Sequence, residues 1–391
     1  MDIFDKCYNY TDAKEIEKSG FYPYFIPLSS NEGPLAEYHG HKLIMCGSNN
    51  YLGLTTHPDV CNAARDAINH FGTSCTGSRL LNGTLELHEQ LEKELAQWVG
   101  KPAALVFSTG MQANLGAISA LADRGDMVIL DKEDHASVTD GARLSWGNLM
   151  RFPHNDMEAL EDILKETRGK GTLVIVDGVF SMEGDIAPLP DLVMLCKKYG
   201  ARLMVDDAHS IGVLGEGKGT AAHFGLTEEV DLIMGTFSKS FASLGGFVAG
   251  DEDIIHYIKH HARAFIFSAS SSPANTAAAL AALKVMCQEP ERIALVNSIG
   301  ERMRTAFQAM GLDTGQSQTP IIPIIIGDTQ RTFVAWKLLF QNGVFVNAAI
   351  SPAVPEGRQL IRTSFMATHT EEQLNQVLEV INTVFKQMQL I

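Results

Sequence analysis

The chain has 391 residues, beyond the roughly 250–300 at which a single core usually stops growing, so one large domain with a smaller one is the default. Its 45% hydrophobic and 20% charged residues are ordinary globular composition, with no low-complexity segment. A formal net charge of −15 argues against a nucleic-acid surface, and the longest apolar runs, 172–176 and 321–326, are far short of the ~20 residues that span a bilayer.

Residues 1–45 read as an N-terminal segment, 46–285 as a large domain and 286–391 as a small C-terminal one. Six cysteines (Cys7, Cys46, Cys61, Cys75, Cys196, Cys287) show no CxxC spacing and follow no signal peptide, which predicts reduced thiols in a cytoplasmic protein and neither disulfides nor a metal site. A helix is predicted over 86–99. Leu87, Leu91, Leu95 and Trp98 form its core stripe, and Gly100 and Pro102 close it.

Short apolar runs then alternate with helical stretches: 103–108, 127–130, 173–177, 202–206, 232–235 and 246–249. That alternation predicts an α/β fold with a mostly parallel central sheet covered on both faces. Ligands of such sheets collect at the carboxyl ends of the strands. The first run leads into Thr109-Gly110-Met111-Gln112 at a helix start, where free N–H groups suit a phosphate, although glycine there is often only a turn.

The run 202–206 ends in Asp206-Asp207-Ala208-His209, two acids and an imidazole where charge is expensive to bury. The segment 212–219 (GVLGEGKG) nearly spells a P-loop, but Gly219 stands where a Ser or Thr must hold magnesium. The next run reaches Thr236-Phe237-Ser238-Lys239-Ser240. A lysine there is a surface charge or, desolvated, an amine able to attack a carbonyl. His256 and His260 lack a third metal ligand and read as a solvated helix face. After residue 285 come a helix, the runs 320–326, 343–347 and 360–365, and an amphipathic helix from Glu371, which predict a small α+β domain.

Taken in order, SNNYLG (48–53), DHAS (134–137), DGVFSMEGD (177–185), VDDAHS (205–210) and GTFSK (235–239) resemble the α-oxoamine synthases. These are fold-type I pyridoxal-phosphate transferases that condense an amino acid with an acyl-CoA and lose carbon dioxide. GSRLLNGTLELH (77–88), the early GFYPYF (20–25) and FMATHT (365–370) are most similar to bacterial members that join L-serine to palmitoyl-CoA.

The resemblance implies that Lys239 carries the cofactor as a Schiff base, that Asp206 partners the pyridinium nitrogen, that His209 bonds the phenolic oxygen and that His135 stacks on the ring. It implies a phosphate cradle of Gly110, Met111, Thr236 and Ser238, with Ser268, Ala269 and Ser270 lent to the neighbouring subunit of a homodimer. Ser181 and Asp177 would line the same pocket. Arg362, with Asn49 or Asn50, would bind the amino acid. Where the serine-using members tend to carry an arginine after the YPYF segment, this chain has Ile26 after Phe25, which puts its acyl-CoA contacts in question. Glycine C-acetyltransferase and 8-amino-7-oxononanoate synthase share the core motifs and are the alternatives within the family. A lyase on the same cofactor and a catalytically dead scaffold are the alternatives outside it.

Overall fold

The computed structural model describes residues 2–391. In it the apolar runs form strands because nearly every residue of each is covered on both sheet faces. An N-terminal antiparallel meander comprises β1 (Ser30–Glu32), β2 (Leu35–Tyr38) and β3 (His41–Met45). The central sheet takes β4 (Ala103–Phe107), β5 (Met127–Asp131), β6 (Asn148–Phe152), β7 (Thr172–Asp177), β8 (Arg202–Asp206), β9 (Leu232–Thr236) and β10 (Gly246–Gly250). Among the described residues these seven strands lie in the order β4-β10-β9-β8-β7-β5-β6. Only β10 runs antiparallel to its neighbours.

The C-terminal part contributes β11 (Ile321–Ile325), β12 (Val344–Phe345), β13 (Asn347–Ala349) and β14 (Leu360–Ser364). Three of these form an antiparallel sheet in the order β11-β14-β13, while β12 pairs in parallel with β3. Ile44 and Cys46 therefore share a core with Phe307, Trp336, Phe365 and Phe385. The run 343–347, read from sequence as one apolar stretch, divides between two sheets at Val346. β6 had no sequence signal, since it is an edge strand whose residues are mostly half-covered or exposed. The closing helix Glu371–Gln387 begins where expected, with a capping box of Thr370 and Gln373.

Candidate active site

Strands β4, β5, β7, β8 and β9 end on one side of the sheet, and the residues at or just after those ends surround a cavity of about 220 Å³. It is lined by Gly110, Met111, His135, Asp177, Asp206, His209, Thr236, Ser238 and Lys239. Parallel pairing of β7 with β8 puts Asp177 directly beside Asp206. Residues more than a hundred positions apart thus meet because parallel strands share a carboxyl end.

One end of the cavity is built for an anion. The helix Gly110–Leu121 starts there, and its cap Thr109 accepts the Gln112 N–H at 3.1 Å. The N–H groups of Gly110 and Met111 have no protein acceptor among the described residues, so they face the cavity with the positive end of the helix. A Cβ on Gly110 would lie 2.6 Å from Thr236 Oγ1, and one on Gly246 would lie 2.6 Å from Gly110 Cα. Glycine is needed at both for the close approach. The hydroxyls of Thr236 and Ser238, 3.0 Å apart, complete this end.

The other end is built for a cation. Buried Asp206 accepts from Asn114 Nδ2 at 2.7 Å and from the Ala208 N–H at 3.0 Å, which fixes its carboxylate. Asn114 also donates to Ser137 Oγ at 2.8 Å, and Ser137 lies 2.7 Å from His135 Nδ1. Two small polar side chains, Ser137 and Asn114, therefore tie His135 to Asp206. Asp177 is held well above the usual carboxylate range by burial and by its neighbour Asp206.

Burial lowers the Lys239 ammonium to about 8, against the opposing pull of Asp206 and Asp177. A sizeable minority of the amine is thus neutral near physiological pH and can act as nucleophile or base. Burial also lowers His135, partly offset by Asp206. His209 is driven well below its ordinary value by burial and by the charges of Lys239 and Arg362. Its Nδ1 is 2.8 Å from the Tyr51 hydroxyl.

A second cleft shares His135, His209 and Lys239 with this cavity and adds Pro23, Tyr24, Asn49, Ser181, Ala348, Ala349 and Arg362. Arg362 Nε donates to the Ser181 carbonyl at 2.5 Å and Nη2 to Asn49 Oδ1 at 3.0 Å. The Tyr51 hydroxyl also stands beside the guanidinium, while Nη1 makes no hydrogen bond of good geometry among the described residues. That leaves the Nη1–Nη2 edge for a carboxylate.

The sequence left Asn49 and Asn50 as alternatives, and the structure separates them. Asn50 turns away from both cavities, donating to Thr55 Oγ1 at 2.8 Å and accepting the Leu54 N–H at 3.0 Å, so it shapes the turn after β3. Ser268, Ala269 and Ser270 lie outside the chain's own cavity. Ser268 Oγ accepts from Gln112, the Ala269 carbonyl accepts from Ser108, and Ser270 donates to the Gly77 carbonyl. Sequence reasoning passed over Asn114, Ser137, Tyr51 and Tyr24. The last three stand inside segments already singled out by resemblance, and Asn114 lies one helical turn after Gly110.

A primary amine, a fixed carboxylate, an imidazole and a helix N-terminus with two hydroxyls fit the aldehyde, the ring nitrogen, the ring face and the phosphate of pyridoxal phosphate. Residues 41–381 match the family model for aminotransferase class I and II. The chain is 48% identical over 390 residues to a serine palmitoyltransferase of Sphingobacterium spiritivorum, covering 99% of this chain and 98% of that one. It is 44% identical over 383 residues to a putative 8-amino-7-oxononanoate synthase 2 of Mycobacterium tuberculosis, covering 97% of this chain but 49% of the longer protein. A solved structure of SPT with PLP internal aldimine superposes with a TM-score of 0.96 at 35% identity, covering 100% of both chains.

Proposed function

The chain belongs to the class I and II aminotransferase family, in its α-oxoamine synthase branch, and we propose that it is a serine palmitoyltransferase. It joins L-serine to palmitoyl-CoA and yields 3-oxosphinganine, coenzyme A and carbon dioxide, the entry step of sphingolipid synthesis. The observation that carries the reading is the convergence of Lys239, Asp206, His135 and Arg362 on two adjoining cavities. The choice of serine and a long acyl chain rests on likeness to the Sphingobacterium protein over essentially the whole of both chains.

Pyridoxal phosphate, when bound, supplies an aldehyde for the Lys239 amine and a conjugated ring that spreads negative charge from the amino acid α-carbon. Asp206 would hold a proton on the ring nitrogen, and Asn114 keeps that carboxylate aimed. His209 Nδ1 is paired with the Tyr51 hydroxyl, and a proton donated from that hydroxyl would leave the Nε2 proton for the ring's phenolic oxygen. Gly110, Met111, Thr236 and Ser238 would hold the phosphate.

Arg362 would grip the serine carboxylate through its free edge, with His135 beside it. Lys239 Nζ would be the base that takes the α-proton of the bound amino acid. The α-carbon would then bond to the acyl carbonyl carbon as the C–S bond breaks, and the departing thiolate would take a proton from solvent to leave as coenzyme A. Arg362 and His135 would orient the carboxylate that leaves as carbon dioxide when its bond to the α-carbon breaks. Lys239 returns a proton to the α-carbon.

Ser268, Ala269 and Ser270 would complete the phosphate site of a second subunit. Support for a homodimer comes from exposed apolar residues near this face: Leu81 is 80% and Phe267 73% exposed, and Met111 and Leu244 at the cavity mouth are half-exposed. No helix among the described residues is long and apolar enough to cross a membrane. The scattered cysteine pattern supports a cytoplasmic location.

Titrating the cofactor-loaded protein with L-serine, glycine and L-alanine while following the visible spectrum, then adding palmitoyl-CoA and assaying free thiol, tests this reading. Saturable response and thiol release with L-serine support it. Response to glycine or alanine instead would reassign the substrate within the family.

A further inference from the structure

His154 follows β6, the edge strand invisible in sequence, and plays no part in the chemistry above. Its ring lies between two buried carboxylates, with Nδ1 3.1 Å from Asp131 Oδ1 and Nε2 3.0 Å from Asp185 Oδ2. Each ring nitrogen meets a carboxylate oxygen, so both donate and the ring is an imidazolium, with Asn155 Nδ2 also 3.1 Å from Nε2. Asn155 repeats the bridge, its N–H donating to Asp131 Oδ2 at 2.8 Å and its Nδ2 to Asp185 Oδ2 at 3.0 Å. Phe180 packs edge-on to the imidazole, with centroids 4.4 Å apart.

The two aspartates begin and end the segments that present the active site. Asp131 closes β5 and accepts the Glu133 N–H at 2.8 Å. The Asp131 N–H donates to Asp134, and Asp134 in turn accepts the Asp177 N–H at 2.8 Å. His135 N–H donates to Asp177 Oδ1 at 3.3 Å. Asp185 closes the 178–185 turn that carries Ser181, and the Phe180 N–H donates to its carbonyl at 3.1 Å. One Asp185 carboxylate oxygen is buried with no partner, so His154 is the chief compensation for that charge. Glu133 adds to the surrounding negative charge, while Glu183 is taken by Arg358.

We propose that His154, bridging Asp131 and Asp185, is a positioning residue that holds the turn bearing His135 and the turn bearing Ser181 at the spacing the amino acid requires. This rests on the active-site reading above. Burial opposes the charge, yet hydrogen bonds to the two aspartates raise His154 to about 10, so the bridge persists across the working pH range.

The test compares His154→Gln, which cannot donate to both aspartates as a cation, with His154→Arg, which can. In the loaded protein, His154→Gln should weaken L-serine binding by about tenfold, leaving the palmitoyl-CoA KM within about twofold, and His154→Arg should recover most of the loss. Should His154→Gln not fold, Asp185→Ala removes the same bridge from its other end and is read identically. A readout independent of activity is the ¹⁵N spectrum of histidine-labelled apoprotein, where both His154 ring nitrogens should be protonated at pH 8.5. Wild-type serine affinity in the bridge-breaking variant, Arg no better than Gln, or a neutral ring at that pH would each overturn the proposal. Lys239→Ala separates the two failures. If it still releases coenzyme A the active-site reading falls, whereas a silent Lys239→Ala beside a wild-type His154→Gln removes only the role of His154.

Discussion

Arg362 Nη2 donates to Asn49 Oδ1 at 3.0 Å, joining the central strand of the small antiparallel sheet to a residue 313 positions earlier. Together with the bond from Nε to the Ser181 carbonyl, it locks one edge of the guanidinium and leaves the other for substrate. Asn49→Ala should therefore raise the L-serine KM by about tenfold, and Arg362→Lys by more, because a single ammonium cannot reproduce the fork. Asn50→Ala serves as the contrast. Its amide serves only the local turn, so it should lower the melting temperature with little change in KM.

Asn114 donates a hydrogen bond to both Asp206 and Ser137. Its own Oδ1 is buried without a partner, so the residue is retained for its donors. Asn114→Ala should loosen the carboxylate and lower kcat by about tenfold, on the order of one hydrogen bond to a charged group. Asn114→Asp should be worse, since it sets a second carboxylate against Asp206 in a buried site. Steady-state thiol release and the cofactor dissociation constant read both.

Covalent capture of pyridoxal phosphate by the apoprotein requires the neutral Lys239 amine. With that lysine lowered to about 8 by burial, the capture rate should climb roughly tenfold per pH unit below 8 and level off above it. An exposed lysine would keep climbing to beyond pH 10. Stopped-flow absorbance from pH 6.5 to 9.5 distinguishes the two, and a rate still rising at pH 9.5 would show that the amine is not desolvated.

The sheet and the cofactor end were legible because buried parallel strands are short, uniformly apolar runs that end in polar residues, as at Asp206 and Lys239. Position along the chain told nothing of which polar residues meet. Asn114 and Ser137 act on Asp206 and His135 from the helices that follow β4 and β5, a relation set by helix phase and sheet order. β6 escaped notice because an edge strand needs no continuous apolar run, and with it went His154. The run 343–347 was legible but its division was not: one apolar run serves two sheets, and nothing local marks the change of partner at Val346.

Two buried histidines outside the cavities contribute to how stability responds to acid. His88 is lowered to about 4 by burial and by the Arg79 charge, with Nδ1 accepting the Leu85 N–H at 3.0 Å and Nε2 3.1 Å from the Ser271 carbonyl. His369 is lowered to about 4 by burial, its Nδ1 accepting the Met366 N–H at 2.9 Å. In the unfolded chain each titrates near 6.5, so between pH 6.5 and 4 the unfolded state binds protons that the folded state refuses. Stability is therefore whole above pH 6.5 and lost as pH falls toward 4, by at most about 3 kcal/mol for each ring. Protonated Nδ1 could no longer accept the N–H it now takes, so acid removes a cap from the helix Glu86–Val99 as well. Urea midpoints measured at pH 8, 6 and 5 should fall stepwise in the wild type. In His88→Gln the midpoint at pH 8 should already be lower and the slope between pH 6 and 5 shallower, and an unchanged slope would place the acid sensitivity elsewhere.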